Sequence, residues 1–436
     1  MPIDLGLSRV TKLLQHLGNP HYSYKSIHIA GTNGKGSTVA YLSSIITQSN
    51  IRNGRFTSPH MLYYNDCICI NNKAYPTSKF THISQLVNEQ NLTLQLNCTD
   101  FELLTVTAFK IFEQEKVELA IIEVGLGGRL DATNVLQPCE QRIMGGVIAT
   151  GITKIGIDHE SFLGTSIADI AYQKAGIIKK GIPCVADGTN KSEALSVIEE
   201  QARLNGSELT LVGSDEVGDA FALRASMLLR YSPLKGNYQL QNLSIALKII
   251  DIVMAQDYNE YTMEDGRSKI LPESITSGIS KANWPGRLQS VHIDTLGFDV
   301  LLDGAHNESA AEELGKFLQE YRGQGKGLIL VIGITQGKNV ENLLKHIVIK
   351  EKDTLIPALF LSPDKMPWVS SYDPNLLRRT FKNYSNLVVE IKEHDVQSII
   401  KYLKDIKLHG DDRQIVICGS LYLCADFLRW IQNGER

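Results

Sequence analysis

The feature that most constrains the fold is the run Ser26-Ile27-His28-Ile29-Ala30-Gly31-Thr32-Asn33-Gly34-Lys35-Gly36-Ser37. An apolar strand enters a glycine-rich turn, and the turn opens a helical stretch from about Ser37 to Ser49. A strand–turn–helix unit of this kind belongs at the carboxyl edge of a parallel sheet. Glycines there let backbone N–H groups converge on phosphate oxygens, and the helix N-terminus favours an anion. Lys35 adds a point charge, and the Ser37 hydroxyl can face a Mg²⁺ carried by a nucleotide. The match to the standard phosphate loop is imperfect, because Ile29 stands where that pattern wants its first glycine and Gly36 separates Lys35 from Ser37.

Further along, Leu119 to Val124 reads as an apolar strand, as a parallel sheet buried on both faces requires. Gly146 to Ile152 and Ile182 to Ala186 read as strands, with a helix over roughly Ser166 to Lys179 between them. The last third alternates again: strands at Val300 to Asp303, Leu328 to Ile332, Thr354 to Leu361, Leu387 to Ile391 and Gln414 to Cys418, and helices at Glu308 to Tyr321 and Val396 to Leu403. This alternation predicts an α/β protein: a P-loop-type ATPase domain with a mostly parallel sheet over 1–286, and a smaller doubly wound α/β domain over 287–436. The break falls at Trp284-Pro285-Gly286-Arg287, and the polar stretch 257–269 reads as a surface loop.

Composition removes several function classes. A net charge of −4 over 436 residues gives no reason to expect nucleic acid or an anionic membrane as partner. No apolar run approaches the roughly 20 residues needed to span a bilayer, and the N-terminus lacks the pattern of a secretory or transit peptide. Seven scattered cysteines without a C-x-x-C pair read as reduced thiols, which predicts a cytoplasmic protein and leaves a mitochondrial one open.

Three more clusters carry potential chemistry. Glu123 ends a buried strand and precedes Gly125-Leu126-Gly127-Gly128-Arg129-Leu130-Asp131-Ala132-Thr133-Asn134. A carboxylate so placed suits Mg²⁺, or is a buried acid satisfied by the loop's N–H groups. The loop lacks G-x-G-x-x-G spacing, so a nicotinamide or flavin site is rejected. Asp158-His159 lies beyond another strand and Lys174 follows on a helix; by residue type alone either is as readily a structural hydrogen bonder or a solvated charge. Asp303-Gly304-Ala305-His306-Asn307 offers a helix cap at Asn307 or a ligand-facing pair, Asp303 and His306. Arg287 is a salt-bridge partner or a donor fork to phosphate.

Together these motifs, with Ser58-Pro59-His60, Phe101-Glu102, Lys174-Ala175-Gly176 and Trp284 to Arg287, resemble the folylpolyglutamate synthase/dihydrofolate synthase family, relatives of the Mur ligases. The likeness runs from Leu7 to about Trp430 and is nearest to the fungal dihydrofolate synthases, through Gly6-Leu7-Ser8-Arg9, Gly18-Asn19-Pro20 and Cys418 to Cys424. It implies ATP in a cleft between two domains, with Gly34, Lys35, Gly36 and Ser37 cradling phosphates. Asn242, Arg287, Asp303 and His306 would be further nucleotide contacts. Two Mg²⁺ sites would use Ser37, Ser58, Glu123, His159 and a carbamylated Lys174, beside an optional monovalent cation. Catalysis would rest on Lys35, Lys174, His159 and Arg287. Thr99, Phe101 and Asp131 match positions that contact the pterin.

The implied reaction activates the carboxylate of dihydropteroate as an acyl phosphate and couples it to L-glutamate, in a monomer. The alternatives are folylpolyglutamate synthase acting on reduced folates, and a weakly active nucleotide- or folate-binding paralogue. An unrelated phosphate-loop GTPase lacks support, since no base-recognition motif is present. Four positions depart from the common pattern: Gln173 for Glu, Tyr238 for His, Cys67 for Arg and Asn339 for Asp. None removes a phosphate or magnesium ligand, and Cys67 puts the pterin or glutamate side in more doubt than the ATP side.

Overall fold

A computed structural model describes residues 4–139, 145–213, 220–255, 261, 268–294, 297–322 and 325–432. The chain forms two compact units: Met1–His60 with Asn65–Pro233 and Tyr238–Asn283, and Met61–Tyr64 with Leu234–Asn237 and Trp284–Arg436.

The first unit holds eight strands: β1 (Lys25–Ala30), β2 (Asn53–Phe56), β3 (Ile68–Ile70), β4 (Lys73–Ala74), β5 (Leu119–Glu123), β6 (Gly146–Ile152), β7 (Cys184–Asp187) and β8 (Leu209–Val212). Their order is β4-β3-β2-β5-β1-β6-β7-β8. The six from β2 to β8 run parallel, and β3 and β4 add an antiparallel edge. Every residue of β1, β5 and β6 is buried. That two-sided burial is why β5 and β6 read as nearly continuous apolar runs instead of alternating ones. The turn joining β3 to β4 places Asn71 and Asn72 at φ 48° and 62°, left-handed conformations that asparagine tolerates.

The second unit adds β9 (Gln289–Ile293), β10 (Phe298–Asp303), β11 (Ile329–Ile332), β12 (Thr354–Pro357), β13 (Leu387–Val388) and β14 (Ile415–Cys418), in the order β13-β12-β11-β14-β10-β9. All pair in parallel except β9 with β10. Val300, Leu302, Val331 and Ile417 join the helix side chains Ile399, Leu403 and Phe427 in one core.

Most predicted elements form, with some altered ends. The helix at Glu308–Tyr321 has the predicted bounds, while that at Val396–Leu408 runs five residues beyond Leu403. The strands read over 354–361 and 387–391 shorten to Thr354–Pro357 and Leu387–Val388. Proline at 357 has no N–H to carry the ladder onward. The predicted surface loop at 257–269 lies outside the described residues except for 261, 268 and 269. The sequence reading also overlooked β2, β3 and β8, which are only three or four residues long, and the helix Gln239–Ala255. Among the described residues no helix is long and apolar enough to cross a membrane.

Candidate active site

Register decides what meets at the carboxyl edge of the first sheet. Ile29 of β1 pairs with Glu123 of β5, Ala30 pairs with Ile152 of β6, and Phe56 of β2 pairs with Ile122. The segments that follow these four strands therefore emerge side by side: Gly31–Lys35 after β1, Thr57–Ser58 after β2, Gly125–Asp131 after β5, and Thr153–His159 after β6.

The glycine turn is held by its neighbour. The Thr32 and Asn33 amides donate to the Lys154 carbonyl at 2.8 and 3.1 Å, and the Thr153 hydroxyl donates to the Asn33 carbonyl at 2.7 Å. Gly34 sits at φ 93°, and a Cβ there would stand 2.2 Å from Asn242 Oδ1, so glycine is required on both counts. The helix Lys35–Gln48 starts at this point, and its first-turn amides have no acceptor within the helix. Ser37, inside that turn, is buried, and Gln239 Nε2 donates to its hydroxyl at 3.4 Å. Asn242 Nδ2 in turn donates to Gln239 Oε1 at 3.1 Å.

Charge concentrates behind the turn. Lys35 Nζ donates to the Thr32 carbonyl at 3.1 Å and stands 3.9 Å from Glu123 Oε1. Lys174, only 5% exposed, donates from Nζ to the Gly31 carbonyl at 2.8 Å. Its pKa is lowered to about 7, chiefly by burial and then by the Lys35 charge, with Asp158 and Asp131 opposing the shift. The backbone allows this approach because position 128 is glycine: a Cβ there would lie 2.7 Å from the Gln173 carbonyl and 2.9 Å from that of Lys174. His159 is exposed on the loop beyond β6, in a left-handed conformation at φ 55°, and it begins the short helix Glu160–Leu163. Among the described residues no three His, Cys, Asp or Glu side chains gather to bind a metal.

Of the residues matched to the pterin, Thr99 and Phe101 lie at the start of the helix Asp100–Gln114 and Asp131 lies in the segment after β5. Thr99 and Glu102 form a capping box on the helix Asp100–Gln114, and Arg9 Nε pairs with the buried Glu102 at 3.0 Å. The Phe101 ring stacks on Phe56 with centroids 6.0 Å apart. Asp131 is buried, and its carboxylate accepts from the Leu126 amide at 2.8 Å, the Thr133 amide at 3.0 Å and the Thr133 hydroxyl. Cys67 is buried too, and burial pushes its thiol well above the ordinary range, with Asp66, Cys69 and Glu123 adding to the shift.

The second unit assembles its own cluster. Asp303 ends β10 and accepts from the Leu288 and Ala305 amides, both at 2.9 Å. Burial raises its pKa, and the neighbouring Arg287 charge works against that rise. The Gly304 amide donates to the Gly286 carbonyl at 2.8 Å. His306 Nδ1 is 2.9 Å from the Gly304 carbonyl, which fixes the proton on Nδ1. Asn307 caps the helix Glu308–Tyr321.

The structure thus gathers Lys35, Ser37, Glu123, Lys174 and Asn242 around one turn, with Ser58 on the adjoining segment. Sequence reasoning missed Thr153, Lys154 and Gln239. The first two follow a parallel strand, where ligand-binding loops occur, and Gln239 lies directly after the Tyr238 position already noted.

A family model described as "Dihydrofolate synthetase, C-terminal domain" matches residues 287–430. The chain is 39% identical to the dihydrofolate synthetase of Saccharomyces cerevisiae, covering 100% of this chain and 99% of the relative. It is 37% identical to the probable dihydrofolate synthetase of Schizosaccharomyces pombe, over 99% of each. The solved folylpolyglutamate synthase of Thermotoga maritima superposes with a TM-score of 0.76 at 28% identity, covering 99% of this chain and 94% of that one. With its phosphate loop, strand-end carboxylate and buried lysine arranged as described, the chain belongs to the dihydrofolate synthetase/folylpolyglutamate synthase family.

Proposed function

We propose that this protein is an ATP-dependent carboxylate–amine ligase that joins L-glutamate to dihydropteroate and yields dihydrofolate. The observation that carries the reading is the convergence of Lys35, Glu123 and Lys174 behind a phosphate-binding turn, in a chain that matches a yeast dihydrofolate synthetase from end to end.

The chemistry follows from those groups. Lys35 and the first-turn amides from Gly34 to Ser37 bind and orient the triphosphate and stabilise charge as the γ-phosphoryl transfers. The substrate carboxylate oxygen attacks phosphorus, ADP leaves, and an acyl phosphate forms. The glutamate amine then attacks the acyl carbon, loses a proton, and phosphate departs. The protein contributes positioning and electrostatics, with no covalent intermediate on a side chain. Asn242, Arg287, Asp303 and His306 are proposed as further contacts to nucleotide.

The donor set fits a hard cation: hydroxyls, a carboxylate and one imidazole, mostly oxygen. Lys174 fits a carbamate, because at pH near its lowered pKa of about 7 roughly half of it is the neutral amine that reacts with CO₂. Two Mg²⁺ ions held by Ser37, Ser58, Glu123, His159 and carbamylated Lys174 would neutralise the triphosphate. Thr99, Phe101 and Asp131 are proposed for the pterin side. We further propose a monomer acting in the cytosol, where its seven free cysteines stay reduced.

The test supplies purified protein with ATP, Mg²⁺ and L-glutamate, offering dihydropteroate or tetrahydrofolate in parallel. Dihydrofolate and phosphate from the first are expected. Tail extension of tetrahydrofolate alone would assign polyglutamylation instead, and no product from either would overturn the ligase reading.

A further inference from the structure

One buried chain of polar side chains lies beneath the active-site edge, and two of its three members, His28 and Thr133, have no part in the reaction just described. His28 of β1 and Thr133 are each 0% exposed, and Asp131 is 1% exposed. The Thr133 hydroxyl donates to Asp131, so it accepts from its other neighbour, His28 Nε2, at 2.8 Å. That assignment puts the imidazole proton on Nε2. Burial, helped by the Lys179 charge, holds His28 well below its ordinary pKa and hence neutral. His28 Nδ1 is buried with no partner among the described residues, so the bond to Thr133 is what accounts for an imidazole in this layer.

The far end of the chain governs a loop. Asp131 anchors the Leu126 amide at 2.8 Å. Next to Leu126, a Cβ on Gly125 would stand 2.3 Å from the Phe101 ring. In the same loop, the Arg129 amide donates to the Gln173 carbonyl at 2.7 Å, directly before Lys174. One carboxylate therefore sets the backbone that backs onto both Phe101 and the lysine helix.

We propose that His28, Thr133 and Asp131 form a buried positioning relay, tying the strand that enters the phosphate turn to the glycine-rich loop at 125–131 and holding that loop against Phe101 for the pterin substrate. Its catalytic consequence rests on dihydropteroate being the substrate. Its structural consequence does not.

The experiment compares Thr133→Val, which keeps the shape and removes both hydrogen bonds of the hydroxyl, with Thr133→Ser, which keeps them. Amide hydrogen exchange over 125–131 in the protein without ligands is expected to quicken about tenfold or more in the valine variant, the factor lost with one charge-assisted hydrogen bond, and to stay near wild type in the serine variant. The KM for dihydropteroate is expected to rise about tenfold in Thr133→Val while the KM for ATP holds. His28→Gln, whose amide nitrogen can stand in for Nε2, should preserve the loop where His28→Leu loosens it; this pair carries the same comparison should Thr133→Val fail to fold. Wild-type exchange in both Thr133→Val and His28→Leu would overturn the relay, as would a KM for ATP rising in step with that for dihydropteroate. A wild-type protein that ignores dihydropteroate would remove the substrate reading, and the exchange result would still decide the relay.

Discussion

Replacing Lys174 by methionine should abolish ligation and yet stabilise the protein near neutral pH. The ammonium is fully buried, and its pKa falls from 10.5 to about 7. Between those values the unfolded chain binds a proton that the folded chain does not, so stability rises with pH across that window and is lost as pH falls from 10.5 toward 7. At pH 7 the linked cost comes to about 4 kcal/mol. Methionine, similar in length and uncharged, carries no such cost. It forfeits the 2.8 Å bond to the Gly31 carbonyl, worth about 1 kcal/mol. The net expectation is a gain of about 2–3 kcal/mol, raising the Tm of the first unit by about 5 °C. Calorimetry in CO₂-free, metal-free buffer at pH 7 and at pH 10 provides the assay, since carbamylation or bound metal would mask the amine. The gain must be largest at pH 7 and shrink toward pH 10. A variant less stable than wild type at pH 7, or one whose advantage does not change with pH, would refute the reasoning that desolvation governs this lysine.

Two further outcomes follow from the same geometry. Lys35→Ala removes the cation that lies 3.9 Å from Glu123 and should cut ATP-driven turnover by about 10²-fold or more, measured as phosphate release, with the melting temperature little changed. In the second unit, Arg322 and Asp353 form a buried pair at 2.6 Å with side chains 5% and 0% exposed. Arg322→Met should therefore destabilise that unit by about 3 kcal/mol in denaturant titration, because it strands a buried carboxylate.

The relation between sequence and structure differs from residue to residue. The phosphate turn was legible because its requirements are local: glycine at 34 for a left-handed backbone, and a lysine at the helix start. The buried parallel strands were legible because burial on both faces leaves an unbroken apolar run. The strands β2, β3 and β8 escaped notice, since segments of three or four residues carry no periodicity of their own and depend on neighbours for pairing. The roles expected of His159, Arg287 and His306 rest on family likeness, because a single polar residue type is compatible with many environments.

Tertiary structure alone decided the electrostatics. Nothing in Gln173-Lys174-Ala175 announces a lysine with a pKa lowered to about 7; that comes from the helix backing onto Gly128 and from Lys35, 139 positions away in sequence. Likewise His28 lies far in sequence from the local Asp131–Thr133 turn and meets it because β1 and β5 pair in register. Local sequence determined which segments turn, cap and bury. The register of the sheet determined which charges meet in a low-dielectric interior, where their ordinary pKa values no longer hold.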